Sequence, residues 1–252
     1  SSDLELDGTF PNHEANPIDE QNLADLKQMV KKVRADIGLA FDGDADRCFL
    51  VDEKGNAVNP SLLTALIAER ELTKYPNSSI IYNLISSRAV REVIEEHGGV
   101  AIRSRVGHSF IKALMAESGA VFGGEHSGHF YFADFWRADS GMLAALHAIA
   151  ALGASNLKLS ELLAPYSRYF SSGEINSKVK DGAKIIESLK VSYQAEPGVT
   201  IDELDGLTVN GDTWWFNVRA SNTEPLLRLN VEAKSETQMA KLRDHLLALI
   251  RG

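Results

Sequence analysis

The sequence predicts an α/β protein: mixed α/β units followed by a C-terminal α+β domain with an antiparallel sheet. Three observations predict it. Short apolar strands alternate with helical periods over the first two-thirds of the chain, the pattern of a mostly parallel sheet. From about Ser160 the pattern changes to consecutive strands joined by turns such as Asn210-Gly211. A last helix, Ser235–Ile250, then closes the chain, with Ser235 and Gln238 spaced as a capping box.

Taken in order, Leu23, Leu26, Val30 and Val33 recur at helical spacing. Asp36–Phe41 and Cys48–Val51 read as strands, with a turn at Glu53–Asn56. Residues 1–54 hold too little apolar surface for a core of their own and are expected to be the tail of a larger domain. Asn59-Pro60 is an N-cap with Pro at the first helical position, opening a helix to Lys74. Strands follow at Ser79–Ile85, Val100–Arg103, Ala120–Phe122 and Phe130–Phe132. Helices at Ser87–His97, Ser109–Ser118 and Ser140–Leu152 separate or follow them, which makes 55–165 a second unit. In 166–252 the strands are Tyr166–Ile175, Val199–Ile201, Leu207–Val209, Trp214–Val218 and Leu226–Val231, with a helix at Gly182–Leu189.

Composition narrows the functions. A net charge of −9 argues against broad nucleic-acid binding, which needs a basic surface. No stretch reaches the ~20 apolar residues of a membrane span, and the N-terminus has no signal-peptide pattern. Cys48 is the only cysteine, which excludes a disulfide framework and makes a reducing cytoplasmic setting the default.

Three loops can carry chemistry. In Asp42-Gly-Asp44-Ala-Asp46-Arg47, carboxylates at alternate positions of a tight turn converge on one point and suit Mg²⁺ or Ca²⁺. An EF-hand would place Gly where Arg47 stands, and a haloacid-type phosphatase would place Thr or Val there. Gly123-Gly-Glu125-His-Ser127-Gly-His129 offers an acceptor, a hydroxyl and an imidazole, a mix suited to sugar hydroxyls and proton transfer. Arg219-Ala-Ser221-Asn222-Thr223-Glu224-Pro225, with Arg228 beyond, reads as an anion nest with bidentate arginines. A smaller feature is His108, within Arg105-Val-Gly107-His108-Ser109 before a helix, where backbone N–H groups favour anions. Together the loops point to a phosphorylated sugar held beside Mg²⁺.

In order and spacing, Asp42–Arg47, Gly124–His129 and Arg219–Pro225 resemble the metal, sugar and phosphate loops of the α-D-phosphohexomutases, nearest the bacterial phosphomannomutase/phosphoglucomutase branch. Gly8–His13 through Asn16-Pro17 also resembles that family. The resemblance implies the end of domain 2 in 1–54, domain 3 in 55–165 and domain 4 in 166–252. It implies that the domain bearing a phosphoserine lies outside this sequence, which contains no Thr-Ala-Ser-His-Asn-Pro segment. The N-terminal domains of the same enzyme are then partners, and the chain alone is expected to be inactive.

The roles it implies are as follows. Asp42, Asp44 and Asp46 hold Mg²⁺ against the phosphoserine, which Arg47 helps place. Glu125 and Ser127 grip sugar hydroxyls. Arg219, Ser221, Asn222, Thr223 and Arg228 hold the phosphate that is not reacting, and His108 and His129 transfer protons. The reaction interconverts mannose or glucose 1-phosphate and 6-phosphate through a hexose 1,6-bisphosphate. Arg88 stands in the loop where many members carry a lysine and is expected to supply that charge. Phosphoglucosamine mutase is one alternative, though that enzyme usually has Gln where His126 stands; a non-catalytic phosphosugar-binding fragment is the other.

Overall fold

The computed structural model describes residues 7–221 and 225–252. Helix α1 (Ala24–Val33) precedes an antiparallel hairpin of β1 (Ile37–Phe41) and β2 (Cys48–Asp52), in which Phe41 pairs with Cys48 across the acidic loop. Leu50 and Cys48 enter the same core as Leu63, Ile67, Phe122 and Ala148. The hairpin is therefore anchored to the unit that follows it. Cys48 is fully buried, and burial pushes its thiol up to about 12. Its backbone N–H donates to the Gly128 carbonyl at 3.0 Å, tying β2 to the Gly-rich loop.

The second unit contains α2 (Pro60–Lys74), β3 (Ser79–Asn83), α3 (Arg88–Glu96), β4 (Val100–Ser104), α4 (His108–Ser118), β5 (Phe122–Gly124), β6 (Phe130–Phe132), β7 (Ala138–Asp139) and α5 (Gly141–Gly153). A short helix, α6 (Leu159–Leu162), follows. Its sheet runs β4-β3-β5-β6-β7. The β4-β3-β5 core is parallel, whereas β6 and β7 extend it antiparallel. Residues alternate between faces along β3. Ile80 and Tyr82 face the α2, α3 and α5 layer, and Ile81 faces Ile111 and Met115 of α4. Burying one such side chain stabilises by roughly 1.5–3 kcal/mol.

The caps form as the side chains dictate. Asn59, Ser87 and Ser140 each accept a backbone N–H in the first turn of α2, α3 and α5. The expected strand at Ala120–Phe122 instead starts at Phe122 and takes in Gly123 and Gly124. Its glycines are demanded by packing: a Cβ on Gly124 would lie 2.4 Å from Thr64 Cγ2 on α2.

The C-terminal unit has β8 (Phe170–Lys178), α7 (Gly182–Gln194), β9 (Thr200–Asp202), β10 (Leu207–Asn210), β11 (Trp214–Ala220), β12 (Leu226–Ala233) and α8 (Glu236–Arg251). Its sheet, β8-β12-β11-β10-β9, is antiparallel throughout. Phe216, Val218, Leu229 and Val231 pack against Leu189 and Tyr193 of α7 and Leu246 and Ile250 of α8. The opposite face carries Asn217, Arg219, Arg228, Asn230 and Glu232. Tyr166, expected in the first strand, lies in a 3₁₀ turn before it. Only half of the expected capping box forms: Ser235 accepts from Gln238 N, while the Gln238 amide donates to Thr213 Oγ1 at 2.9 Å.

Candidate active site

The acidic loop closes the β1–β2 hairpin. Ala45 at φ 60° tightens the turn, and Ala45 N donates to the Asp42 carbonyl at 3.1 Å. Asp42, Asp44 and Asp46 each present an oxygen within 4.8 Å of the others. Arg47 donates to Asp42 twice, from its backbone N at 3.1 Å and from Nε at 2.6 Å. Burial raises the Asp42 carboxyl, but the hydrogen bonds and charge of Arg47 outweigh it and hold the group below its ordinary range. Asp46 is displaced the other way: burial raises it, His129 opposes, and Asp42, Asp44 and Asp139 add to the rise. Among the described residues, Asp46 Oδ1 is a buried oxygen with no hydrogen-bond partner. An orphaned carboxylate oxygen beside two further carboxylates fits a hard divalent cation such as Mg²⁺.

The Gly-rich loop lies directly against that hairpin. Residues 47 and 129 form an isolated antiparallel bridge. Gly128 has φ 90°, and a Cβ there would meet Phe49 Cε2 at 2.5 Å, so glycine is required. Ser127 Oγ and His129 Nδ1 lie 2.9 Å apart, and His129 Nε2 lies 3.5 Å from Asp46. Asp46, His129 and Asp139 form a second convergent group, in which Lys112 pairs with Asp139 at 2.7 Å.

Glu125, expected to grip the sugar, is 2% exposed and fully engaged. Its Oε1 accepts from Gly107 N at 3.1 Å and Asn83 Nδ2 at 3.4 Å, and its Oε2 from Tyr131 OH at 2.8 Å. Glu125 thus ties its own loop to the loop before α4, the end of β3 and β6. His108 is exposed at the first position of α4, just beyond that Gly107 contact.

The arginines belong to the polar face of the C-terminal sheet. Arg219 and Arg228 are directly paired on β11 and β12. Between them lies Glu174, which no local pattern singles out: Arg219 Nη2 donates to its Oε2 at 2.7 Å and Arg228 Nη1 to its Oε1 at 3.3 Å. A β-bulge brings Glu174 there. Two residues, Ser172 and Gly173, oppose Val231 alone, with Gly173 at φ 66° and Ser172 Oγ accepting from Val231 N at 3.0 Å. Ser221 N donates to the Leu226 carbonyl at 2.9 Å at the loop's base. Asn222 and Thr223 lie outside the described residues.

A cleft of about 560 Å³ brings the sugar and phosphate loops together, lined by His126, Ser127, Ser172, Glu174, Arg219 and Arg228, among others. Burial lowers the basicity of His126, and nearby Glu174 opposes that.

Arg88 does not reach this cleft, a correction to the sequence expectation. Its guanidinium donates to the carbonyls of Asp212 at 2.8 Å, Gly211 at 3.1 Å and Trp214 at 3.3 Å. Its backbone N donates to buried Glu232, which also accepts from Trp215 Nε1. Three carbonyls at the β10–β11 turn absorb the donors, so its charge serves a joint between the two units rather than the substitute-lysine role.

Comparison with known proteins agrees across the chain. Residues 1–55 match the description "phosphoglucomutase/phosphomannomutase, alpha/beta/alpha domain II", residues 59–169 match domain III, and residues 174–249 match the C-terminal domain. A phosphomannomutase of Methanocaldococcus jannaschii is 44% identical over 97% of this chain and 54% of its own length. One of Vibrio cholerae is 43% identical over 91% of this chain and 50% of its own. The solved structure of a phosphoglucomutase/phosphomannomutase family protein from Burkholderia thailandensis superposes with a TM-score of 0.87 at 32% identity, over 97% of this chain and 53% of that one. The chain therefore spans about half the length of the relatives it matches. Among the described residues, no helix is long and apolar enough to cross a membrane.

Proposed function

The chain belongs to the phosphoglucomutase/phosphomannomutase family, and on that premise we propose that it forms the metal-, sugar- and phosphate-binding half of a phosphohexomutase cleft. The activity is the interconversion of mannose or glucose 1-phosphate and 6-phosphate through a hexose 1,6-bisphosphate. The phosphoryl donor is a phosphoserine on the domain that completes the enzyme. The setting is cytoplasmic. One observation carries the reading: Ser127 and both arginines line a single cleft, and His129 joins that cleft to the acidic loop.

Asp42, Asp44 and Asp46 are the residues that hold Mg²⁺. When bound, the ion neutralises charge on the transferring phosphoryl group. Arg47 fixes the Asp42 carboxylate and helps place the phosphoserine. Arg219 and Arg228, with Ser221, Asn222 and Thr223, bind the phosphate that is not reacting. Ser127 takes a sugar hydroxyl, and Glu125 holds the loop that presents it. His129 receives a proton at Nε2, its Nδ1 being engaged by Ser127, and exposed His108 is the second proton-transfer group.

A calorimetric titration with mannose 1-phosphate tests this, with Arg228→Ala as control. Binding that the control abolishes supports the cleft. Binding that the control leaves intact removes the phosphate assignment. No binding by this chain, followed by binding once the serine-bearing domain is joined to it, would show that the missing half closes the cleft.

A further inference from the structure

We infer that Glu174 is a built-in counter-ion occupying the phosphate end of the cleft, and that an incoming phosphate must displace it. The inference rests on the proposed phosphate site and assigns that site a residue setting its affinity.

Four observations carry it. First, Glu174 engages both arginines, at 2.7 Å and 3.3 Å, from the cleft wall. Second, the engagement is incomplete. Among the described residues, Arg219 Nε and Arg228 Nε are buried donors without acceptors. Arg219 is only 9% exposed, so water does not readily supply what Glu174 leaves undone. A guanidinium offers Nε and Nη as a fork to a planar or tetrahedral oxyanion. A carboxylate spread across two arginines takes one donor from each and orphans the rest, whereas a phosphate has enough oxygens for both forks. Third, His126 Nδ1 is a further buried orphan on the same wall. Fourth, Glu174 is delivered by the Gly173 bulge, a local departure from regular pairing whose cost is accepted at this point of the sheet.

The charges dictate the consequence. Two arginines and one glutamate leave one net positive charge, too little for a phosphate dianion beside a fixed carboxylate. Entry of the dianion therefore drives Glu174 off the arginines, and departure lets it return. In a reaction whose bisphosphate must let go and rebind by its other end, a returning carboxylate limits how tightly either phosphate is held. The side chain is 25% exposed, leaving it a path toward solvent.

The test is a low-salt calorimetric titration of the whole chain with inorganic phosphate. Glu174→Gln should bind phosphate about tenfold tighter than the unsubstituted chain. Glu174→Asp, which keeps the charge on a shorter stem, should fall between them, and it decides the matter if the glutamine variant does not fold. Unchanged or weaker binding in Glu174→Gln overturns the counter-ion role while leaving the phosphate site standing. If the gain persists when Arg219→Ala is added, the anion sits elsewhere and the phosphate reading falls with the inference. If no form of the chain binds phosphate, the titrations are repeated with the serine-bearing domain joined to it, and absence of binding there overturns both.

Discussion

The acidic and basic ends of the cleft face the same electrostatic problem and solve it at different distances along the chain. Asp42 receives its counter-ion, Arg47, from five residues away within one turn. Arg219 and Arg228 receive theirs, Glu174, from 45 and 54 residues away. The acidic arrangement is written into a turn and is reinforced by a backbone N–H. The basic arrangement depends on strand register and on a bulge, with side chains alone closing it. The difference teaches that the acidic end is set by a local turn, whereas the basic end exists only once distant strands have paired in register.

Breaking the basic end should have the largest effect. Arg219→Ala removes a buried charged donor and is expected to weaken phosphate binding about 100-fold, from a lost charge-assisted contact of roughly 1.5–3 kcal/mol. A titration reads it directly. Next comes the seam between the acidic hairpin and the Gly-rich loop. Gly128→Ala forces a side chain into positive φ and against Phe49, and should destabilise by roughly 2 kcal/mol in urea unfolding. Little change there would mean that the hairpin and the loop are not rigidly joined.

The comparison sharpens with Arg47→Met. If Arg47 acts on the carboxylates mainly through its charge, Mg²⁺ should bind roughly tenfold tighter at low salt without it. Weaker binding would show that the side chain organises the loop, making the two ends unlike in function as well as in spacing.

The smallest effect concerns Glu232, on the same polar sheet face. Burial raises its carboxyl despite hydrogen bonds from Arg88, Ser87 and Trp215. The folded state then holds a proton that the unfolded state has released, so stability falls as pH rises from about 4.5 toward the raised value. Glu232→Gln should flatten that part of a stability-versus-pH profile. An unchanged slope would show that another group produces it.

What the sequence discloses follows the same divide. The helices are legible because apolar periodicity and caps such as Asn59-Pro60 are local signals. The acidic loop is legible because residues at i, i+2 and i+4 of one turn converge. The arginines are legible as charges near a turn, but their partner is not: only the pairing of β8 with β12 sets Glu174 beside them. Arg88 misleads for the same reason. Its position in the loop is local information, whereas the carbonyls that absorb it belong to a turn more than 120 residues later. Glu125 is a third case, since its bonds come from Asn83 at the end of β3 and Gly107 in the loop before α4. The two-residue strand β7 has too little sequence to leave a pattern.

The lone thiol behind the acidic loop turns the hairpin into its own stopwatch. Cys48 is shielded completely and protonated at neutral pH, so a thiol reagent can reach it only while β2 is lifted away from α2 and α5. Its labelling rate in the intact chain, divided by the rate in denaturant, measures how often that region opens. Adding Mg²⁺ should slow the clock if the ion grips the turn, giving a readout of metal binding that needs no substrate and no turnover.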